Sequence, residues 1–106
     1  MTFTAETKSI VVGGTSGIGH AVAKALSQRA GLVATPSRST GLDVTDEAAV
    51  DSYFDEHGPV DHVVFTAGSS APGGAITRVA FEDAKQAFDT KFWGSLNVAK
   101  HAAPNW

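Results

Sequence analysis

Three glycines at fixed spacing carry the clearest chemical signal in this sequence, in the run Gly13-Gly14-Thr15-Ser16-Gly17-Ile18-Gly19. The pattern Gly-x-x-x-Gly-x-Gly follows a short β-branched segment, Lys8 to Val12, and opens a stretch whose apolar residues recur at helical spacing. A strand that turns into a helix through glycines leaves backbone N–H groups and the positive helix end open to a pyrophosphate. Side chains at those positions would block the approach. The usual dinucleotide fingerprint is Gly-x-Gly-x-x-Gly, so the spacing here differs while the strand-to-helix context is kept. A glycine-rich turn with no ligand is the alternative reading of the same residues.

Two cations bear on what such a loop would serve. An acid at the end of the second strand would bond a ribose 2′-hydroxyl and repel a 2′-phosphate. The segment Thr35-Pro36-Ser37-Arg38-Ser39 has no acid there. The Arg38 guanidinium beside Ser37 offers a fork for a 2′-phosphate, so NADP is expected before NAD. A solvated surface arginine is the competing account. Lys91 lies three residues after Phe88 and four before Ser95, which puts it on an apolar helical stripe expected to face the sheet. A buried ammonium needs a partner. Lys91 therefore serves either as a relay or anion-binding group, or runs along its helix to water.

The elements that must position these residues follow from periodicity. Lys8 to Val12 reads as a buried parallel strand, and Ile18, Val22, Ala25 and Leu26 mark a helix that Arg29-Ala30-Gly31 stops. Leu32 to Thr35 reads as a second strand broken by Pro36, and Gly41 to Val44 as a short third. A helix capped by Thr45 or Asp46 runs to about His57, where Gly58-Pro59 ends it. Val60 to Thr66 is the most strand-like segment, and Ala67 to Val79 is a Gly, Ser and Pro-rich loop. Phe81 to about Ala103 predicts one long helix with Ala84, Phe88, Phe92, Ser95, Ala99 and Ala102 along a stripe, and Gly94 at a close-packing or kink position. The alternation predicts a Rossmann-type doubly wound parallel sheet of about four strands in the order 3-2-1-4.

Composition bounds the rest. At 106 residues, with 42% apolar and 18% charged residues, the chain suits a single folded domain spanning 1–106. A net charge of -3 with scattered Lys and Arg gives no basic face for nucleic acid, and no apolar run approaches membrane-spanning length. Cysteine is absent, which excludes disulfides and thiolate metal sites. The amino-terminal residues lack the pattern of a secretory signal, so a cytoplasmic location is expected. His20, His57, His62 and His101 show no metal-ligand spacing and read as surface or cap residues.

Val11 to Gly19 resembles the cofactor loop of the short-chain dehydrogenase/reductase family, with Val12 where that family has threonine. Leu42-Asp43-Val44 resembles the segment whose aspartate contacts the adenine, and Phe65-Thr66-Ala67-Gly68 stands where the family has Asn-Asn-Ala-Gly. The resemblance implies a cofactor site of Gly13, Thr15, Ser16, Gly17, Ile18, Gly19, Ser37, Arg38, Asp43, Val44, Ala67 and Gly68. Ala67 and Gly68 would lie near the nicotinamide ribose. It also implies an oxidoreductase acting between a carbonyl and an alcohol on a small substrate, and homo-oligomers of the full-length form. Lys91 falls about where the family has an asparagine of its proton relay.

The family's hydride transfer uses a serine and a Tyr-x-x-x-Lys pair, and neither is found here. Tyr53, the one tyrosine, is followed four residues on by His57 and reads as a core residue; Ser69 and Ser70 come too early in the chain. The fourth strand would be an unpaired apolar edge, so the expectation is an amino-terminal portion of a longer reductase. A non-catalytic NADP(H)-binding or interaction module is the second reading. A methyltransferase, the third, normally calls for an acid at the end of strand two, where Arg38 stands instead.

Overall fold

The computed structural model describes residues 3–29, 31–68 and 74–105. Strand β1 (Lys8–Val12) leads through the glycine loop into helix α1 (Gly17–Ser27), and β2 (Leu32–Ala34) follows. A 3-10 turn, Arg38–Thr40, precedes α2 (Glu47–His57), and β3 (His62–Phe65) completes the sheet. Beyond it come a 3-10 turn at Ile76–Arg78 and a long helical run. That run comprises α3 (Phe81–Phe88), a π-helical segment Asp89–Gly94, α4 (Ser95–Ala102) and a closing 3-10 turn.

All pairings are parallel and the order is β2-β1-β3. β1 is central, with Ser9 opposite Val33 on one side and Val11 opposite Val64 on the other. Side chains alternate across a strand, and here both faces of β1 are buried. Ile10 and Val12 join Val50, Phe54, Val98 and Ala102 in the main core, under α2 and α4. Ser9 and Val11, also buried, point to the opposite face, where α1 packs on β1 and β2. The continuous β-branched run of β1 is thus what a strand covered on both faces requires.

The strand expected over Gly41 to Val44 does not pair. Leu42 and Val44 are buried in the core, yet the segment is held by turns: Leu42 N–H donates to the Ser37 carbonyl and Asp46 N–H to that of Asp43. A parallel crossover needs a dozen or more residues, and only Thr35 to Thr40 separate this segment from β2. β3 therefore occupies the place expected of a fourth strand.

Helix α2 starts as its sequence indicates, with the Asp46 carboxylate accepting from Ala49 N–H at 3.2 Å. The long helix departs from expectation. Phe88 and Phe92 are 61% and 51% exposed and Ala99 is exposed as well, while Gly94, Val98 and Ala102 form the buried face. Phe88 belongs to α3, none of whose residues is buried, and beyond it the wider turn of the π segment moves the buried face from Ser95 and Ala99 to Gly94 and Val98, while Ala102 stays buried as expected. The carboxyl end of α4 and the turn after it are fastened along α2. Lys100 Nζ and His101 Nε2 reach Glu47 at 2.8 and 2.9 Å, His101 Nδ1 reaches Asp51 at 3.1 Å, and Asn105 Nδ2 donates to the Phe54 carbonyl. Among the described residues no helix is long and apolar enough to cross a membrane.

Candidate cofactor site

The carboxyl ends of the strands open into a cleft of about 520 Å³, within the range of small-molecule and cofactor sites. Its first wall is the glycine loop. Gly13, at φ +86°, lies so close to the end of β3 that a Cβ there would stand 2.8 Å from Ala67 N. At Gly19 a Cβ would collide with the Gly13 carbonyl and the Thr66 hydroxyl. These two glycines are required by packing. Gly17 is not: its φ is +56°, and a Cβ would meet nothing within 4 Å, so its bare face leaves room in the cleft. Ser16 caps α1 without a side-chain hydrogen bond and the first turn holds no acid, which leaves its donors open to an anion. Ile18, 78% exposed, presents an apolar side chain beside them.

The second wall comes from the end of β2. Gly13 N–H donates to the Pro36 carbonyl at 2.8 Å, which joins this wall to the first. Ser37 is buried and closes a capping box with Thr40, Ser37 N–H donating to Thr40 Oγ1 at 2.8 Å. Its hydroxyl lies 2.8 Å from that of Ser39 and receives the Thr15 hydroxyl at 3.1 Å. Arg38 stands exposed beside this chain of three hydroxyls. Asp43 follows, accepting from the Thr45 hydroxyl at 2.6 Å and from Thr45 N–H at 2.9 Å. Those two bonds, the hydroxyl's foremost, hold its carboxyl below the usual carboxylate range, and the Arg38 charge adds to them.

The third wall is the end of β3 and the π segment. Thr66 donates both its N–H and its hydroxyl to the Val12 carbonyl, each at 2.9 Å. It thereby ties β3 to the central strand from a position where the family it resembles has asparagine. Lys91 corrects its own expectation, since its side chain is exposed and does not face the sheet. Its ammonium lies over Gly68, 2.6 Å from where a Cβ would be. Gly94 packs so tightly that a Cβ would come within 2.6 Å of Val44 Cγ2, which seats the π segment against the cleft. The Asn97 side-chain amide secures the same place by donating to the Val44 carbonyl at 3.1 Å.

Gly13, Thr15, Ser16, Gly17, Ile18, Gly19, Ser37, Arg38, Asp43, Val44, Ala67, Gly68 and Lys91 thus line a single cleft. Val12, Ser39, Leu42, Thr66 and Thr90 line it too, and the sequence reading had not placed them among the site residues. Ser39 and Thr66 had a readable signal, being hydroxyl residues adjoining predicted ligand positions. Thr90 had none, because its placement depends on the π turn. Tyr53 stands elsewhere, half-buried, its ring edge-on to Phe54 at 5.3 Å and stacked on His57 at 6.0 Å. Burial raises its pKa. Among the described residues no three His, Asp or Glu side chains are grouped to hold a metal ion. Ser69 and Ser70 lie outside the described residues.

Residues 9–105 match the family model described as the NAD dependent epimerase/dehydratase family. The chain belongs to this family and, with it, to the short-chain dehydrogenases/reductases. A small-chain dehydrogenase solved in complex with NADPH is similar to this short-chain dehydrogenase/reductase, at 49% identity and a TM-score of 0.88 over 94% of this chain and 46% of that one. The 3-oxoacyl-(acyl-carrier-protein) reductase MabA of Mycobacterium tuberculosis is 35% identical over 89% of this chain and 43% of its own length. An uncharacterized oxidoreductase of Schizosaccharomyces pombe is 28% identical over 99% of this chain and 50% of its own. The short-chain dehydrogenase/reductase chain described here therefore spans about half the length of the curated relatives it matches.

Proposed function

We propose that the chain is the cofactor-binding part of an NADP-dependent oxidoreductase that interconverts a carbonyl and an alcohol on a small substrate, acting in the cytoplasm. The observation that carries this reading is the continuity of the cleft. It joins the open amino-terminal donors of α1 to the Arg38, Ser37 and Ser39 cluster without a break. The cradle fits the group, since Gly17, the one glycine of the loop that packing does not require, is where a side chain would fill the space. The similar dehydrogenase solved with NADPH supports the same cofactor.

In this reading the glycine loop and the first turn of α1 hold the pyrophosphate, and Arg38 with its neighbouring hydroxyls holds the 2′-phosphate. The ionised Asp43 carboxylate, oriented by Thr45, accepts from the adenine amino group. Ala67 and Gly68, without bulky side chains, admit the nicotinamide ribose, and Ile18 and Val44 offer apolar contact. When bound, the cofactor would supply hydride chemistry at the nicotinamide end beside Ala67 and Gly68. The serine and Tyr-x-x-x-Lys pair that move the proton in the family are not among these 106 residues, and this reading requires a full-length form to supply them. A non-catalytic NADP(H)-binding module is the second reading.

Titration of the chain with NADPH and NADH by calorimetry tests the reading. NADPH is expected to bind roughly tenfold or more tighter than NADH, since charge-assisted bonds to a 2′-phosphate contribute about 1.5–3 kcal/mol. Arg38→Ser should bring the two affinities together. Equal affinities in the unaltered chain would refute the NADP preference, and no response to either at millimolar concentration would refute cofactor binding. Turnover of a full-length form with its Tyr-x-x-x-Lys separates the enzyme from the binding module.

A further inference from the structure

The cleft holds one more cation than a phosphorylated dinucleotide requires. The glycine loop with the α1 terminus, and Arg38 with its hydroxyls, already supply two anion-binding elements in two walls. Lys91 enters from the third. Its side chain lies along Gly68, with Cγ, Cε and Nζ at 3.3, 3.2 and 2.6 Å from where a Cβ would stand. Any side chain at Gly68 would displace it. The π segment turns the consecutive residues Thr90 and Lys91 both toward the cleft, and the contact of Gly94 with Val44 fixes that segment in place.

The charge on Lys91 is also unanswered by protein groups. Lys85 and Lys100 find carboxylates at 3.9 and 2.8 Å, whereas among the described residues none lies within 4.0 Å of Lys91. The sequence that follows Gly68, Ser-Ser-Ala-Pro-Gly, contains no acid. Among the described residues Asp43 is the one acid lining the cleft, and its carboxylate is engaged by Thr45 and lies in the field of Arg38. An ammonium is a compact charge with three donors on a flexible stem, suited to a small oxyanion of varied geometry.

We propose that Lys91 binds an oxyanion of the substrate, a carboxylate or phosphate carried by the carbonyl compound, and so selects acidic over neutral carbonyl substrates. The inference rests on the cofactor reading of the cleft and extends it to substrate class. It assigns Lys91 to substrate binding rather than to the proton relay. Thr90, on the same wall, supplies a hydroxyl beside the ammonium.

The test uses the whole chain, with and without saturating NADPH, titrated with acetoacetate, its uncharged methyl ester and inorganic phosphate. Binding is followed by calorimetry and by the NMR shifts of the lysine side-chain methylenes. Acetoacetate or phosphate is expected to bind and the ester to bind at least tenfold more weakly. In Lys91→Met the anion should bind roughly ten- to a hundredfold more weakly, while Lys91→Arg retains most of the affinity and NADPH binding changes less than about twofold in both. Acid and ester binding alike, or anion binding that survives Lys91→Met, would overturn the proposal. A tenfold loss of NADPH affinity in Lys91→Met would overturn it too, by assigning the ammonium to the cofactor's phosphates. If the unaltered chain fails to bind NADPH, the cofactor reading falls, and the cofactor-free titration with acetoacetate and phosphate still decides the role of Lys91.

Discussion

Substituting alanine for glycine at two open positions separates the binding role of the loop from its conformational role. Gly17 (φ +56°) and Gly58 (φ +77°) both hold positive φ, and at neither would a Cβ meet an atom within 4 Å. Both substitutions therefore cost backbone strain without a clash. For Gly17→Ala, a left-handed residue at the helix entrance, the cost is about 1–2 kcal/mol. For Gly58→Ala it is greater, at the upper end of the roughly 1–3 kcal/mol range, because ψ -152° places Gly58 in a region that essentially only glycine occupies. In a domain of this size each kcal/mol lowers Tm by about 4–8 °C. Thermal melts should then show a larger loss in Gly58→Ala than in Gly17→Ala. NADPH affinity should rank the other way. A methyl group in the cradle displaces the pyrophosphate from the α1 donors and weakens binding roughly ten- to a hundredfold, while Gly58→Ala leaves the affinity of the folded fraction unchanged. Calorimetry below both melting points reads this directly. Should Gly17→Ala bind NADPH like the unaltered chain, or Gly58→Ala lose as much affinity, the cradle would not be the anion site.

Three further outcomes follow from particular contacts. Gly94→Ala should destabilise by about 1–3 kcal/mol in urea unfolding because its Cβ meets Val44 Cγ2 at 2.6 Å, and Val44→Ala should recover part of that loss in the double variant. Thr66→Val removes the hydroxyl bond to the Val12 carbonyl but leaves the backbone bond, so it should cost only about 0.5–1.5 kcal/mol. The lowered pKa of Asp43 means that its contribution to stability is fully present above the ordinary carboxylate pKa and fades as pH falls through the depressed folded value. Acid unfolding of Thr45→Val, which removes the foremost cause of the shift, should differ less from neutral-pH stability than that of the unaltered chain, as compared by urea midpoints at pH 7 and pH 3.

The residues of the cleft were legible because their signals are local. Glycine spacing and an arginine among hydroxyls are each carried by a few consecutive residues, Asp43 by the family resemblance of Leu42-Asp43-Val44, and the strand-to-helix context places the glycine loop. What was not legible depends on longer range. The segment Gly41 to Val44 has strand composition, but whether it pairs is decided by the length of its connection to β2, and it settles for burying Leu42 and Val44. Beyond Asp89 the helical stripe failed because a π turn leaves no compositional mark other than Gly94, whose close approach to Val44 is a tertiary fact; before it, α3 buries no residue at all. Lys91 was drawn to the stripe by the same extrapolation, and the π turn redirects it to Gly68. Thr66 was read by what it lacked relative to asparagine, whereas its hydroxyl makes its own tie to the central strand.

The bond from Gly13 N–H to the Pro36 carbonyl has a consequence for how this sequence can diverge. It pins the turn after β1 to the turn after β2, and the hydroxyl chain from Thr15 through Ser37 to Ser39 fastens them a second time. Neither turn can gain or lose a residue alone without pulling the other out of register. Length variation among descendants of this chain should therefore spare these two turns, Gly13 to Ser16 and Thr35 to Ser39, and collect in the other connections.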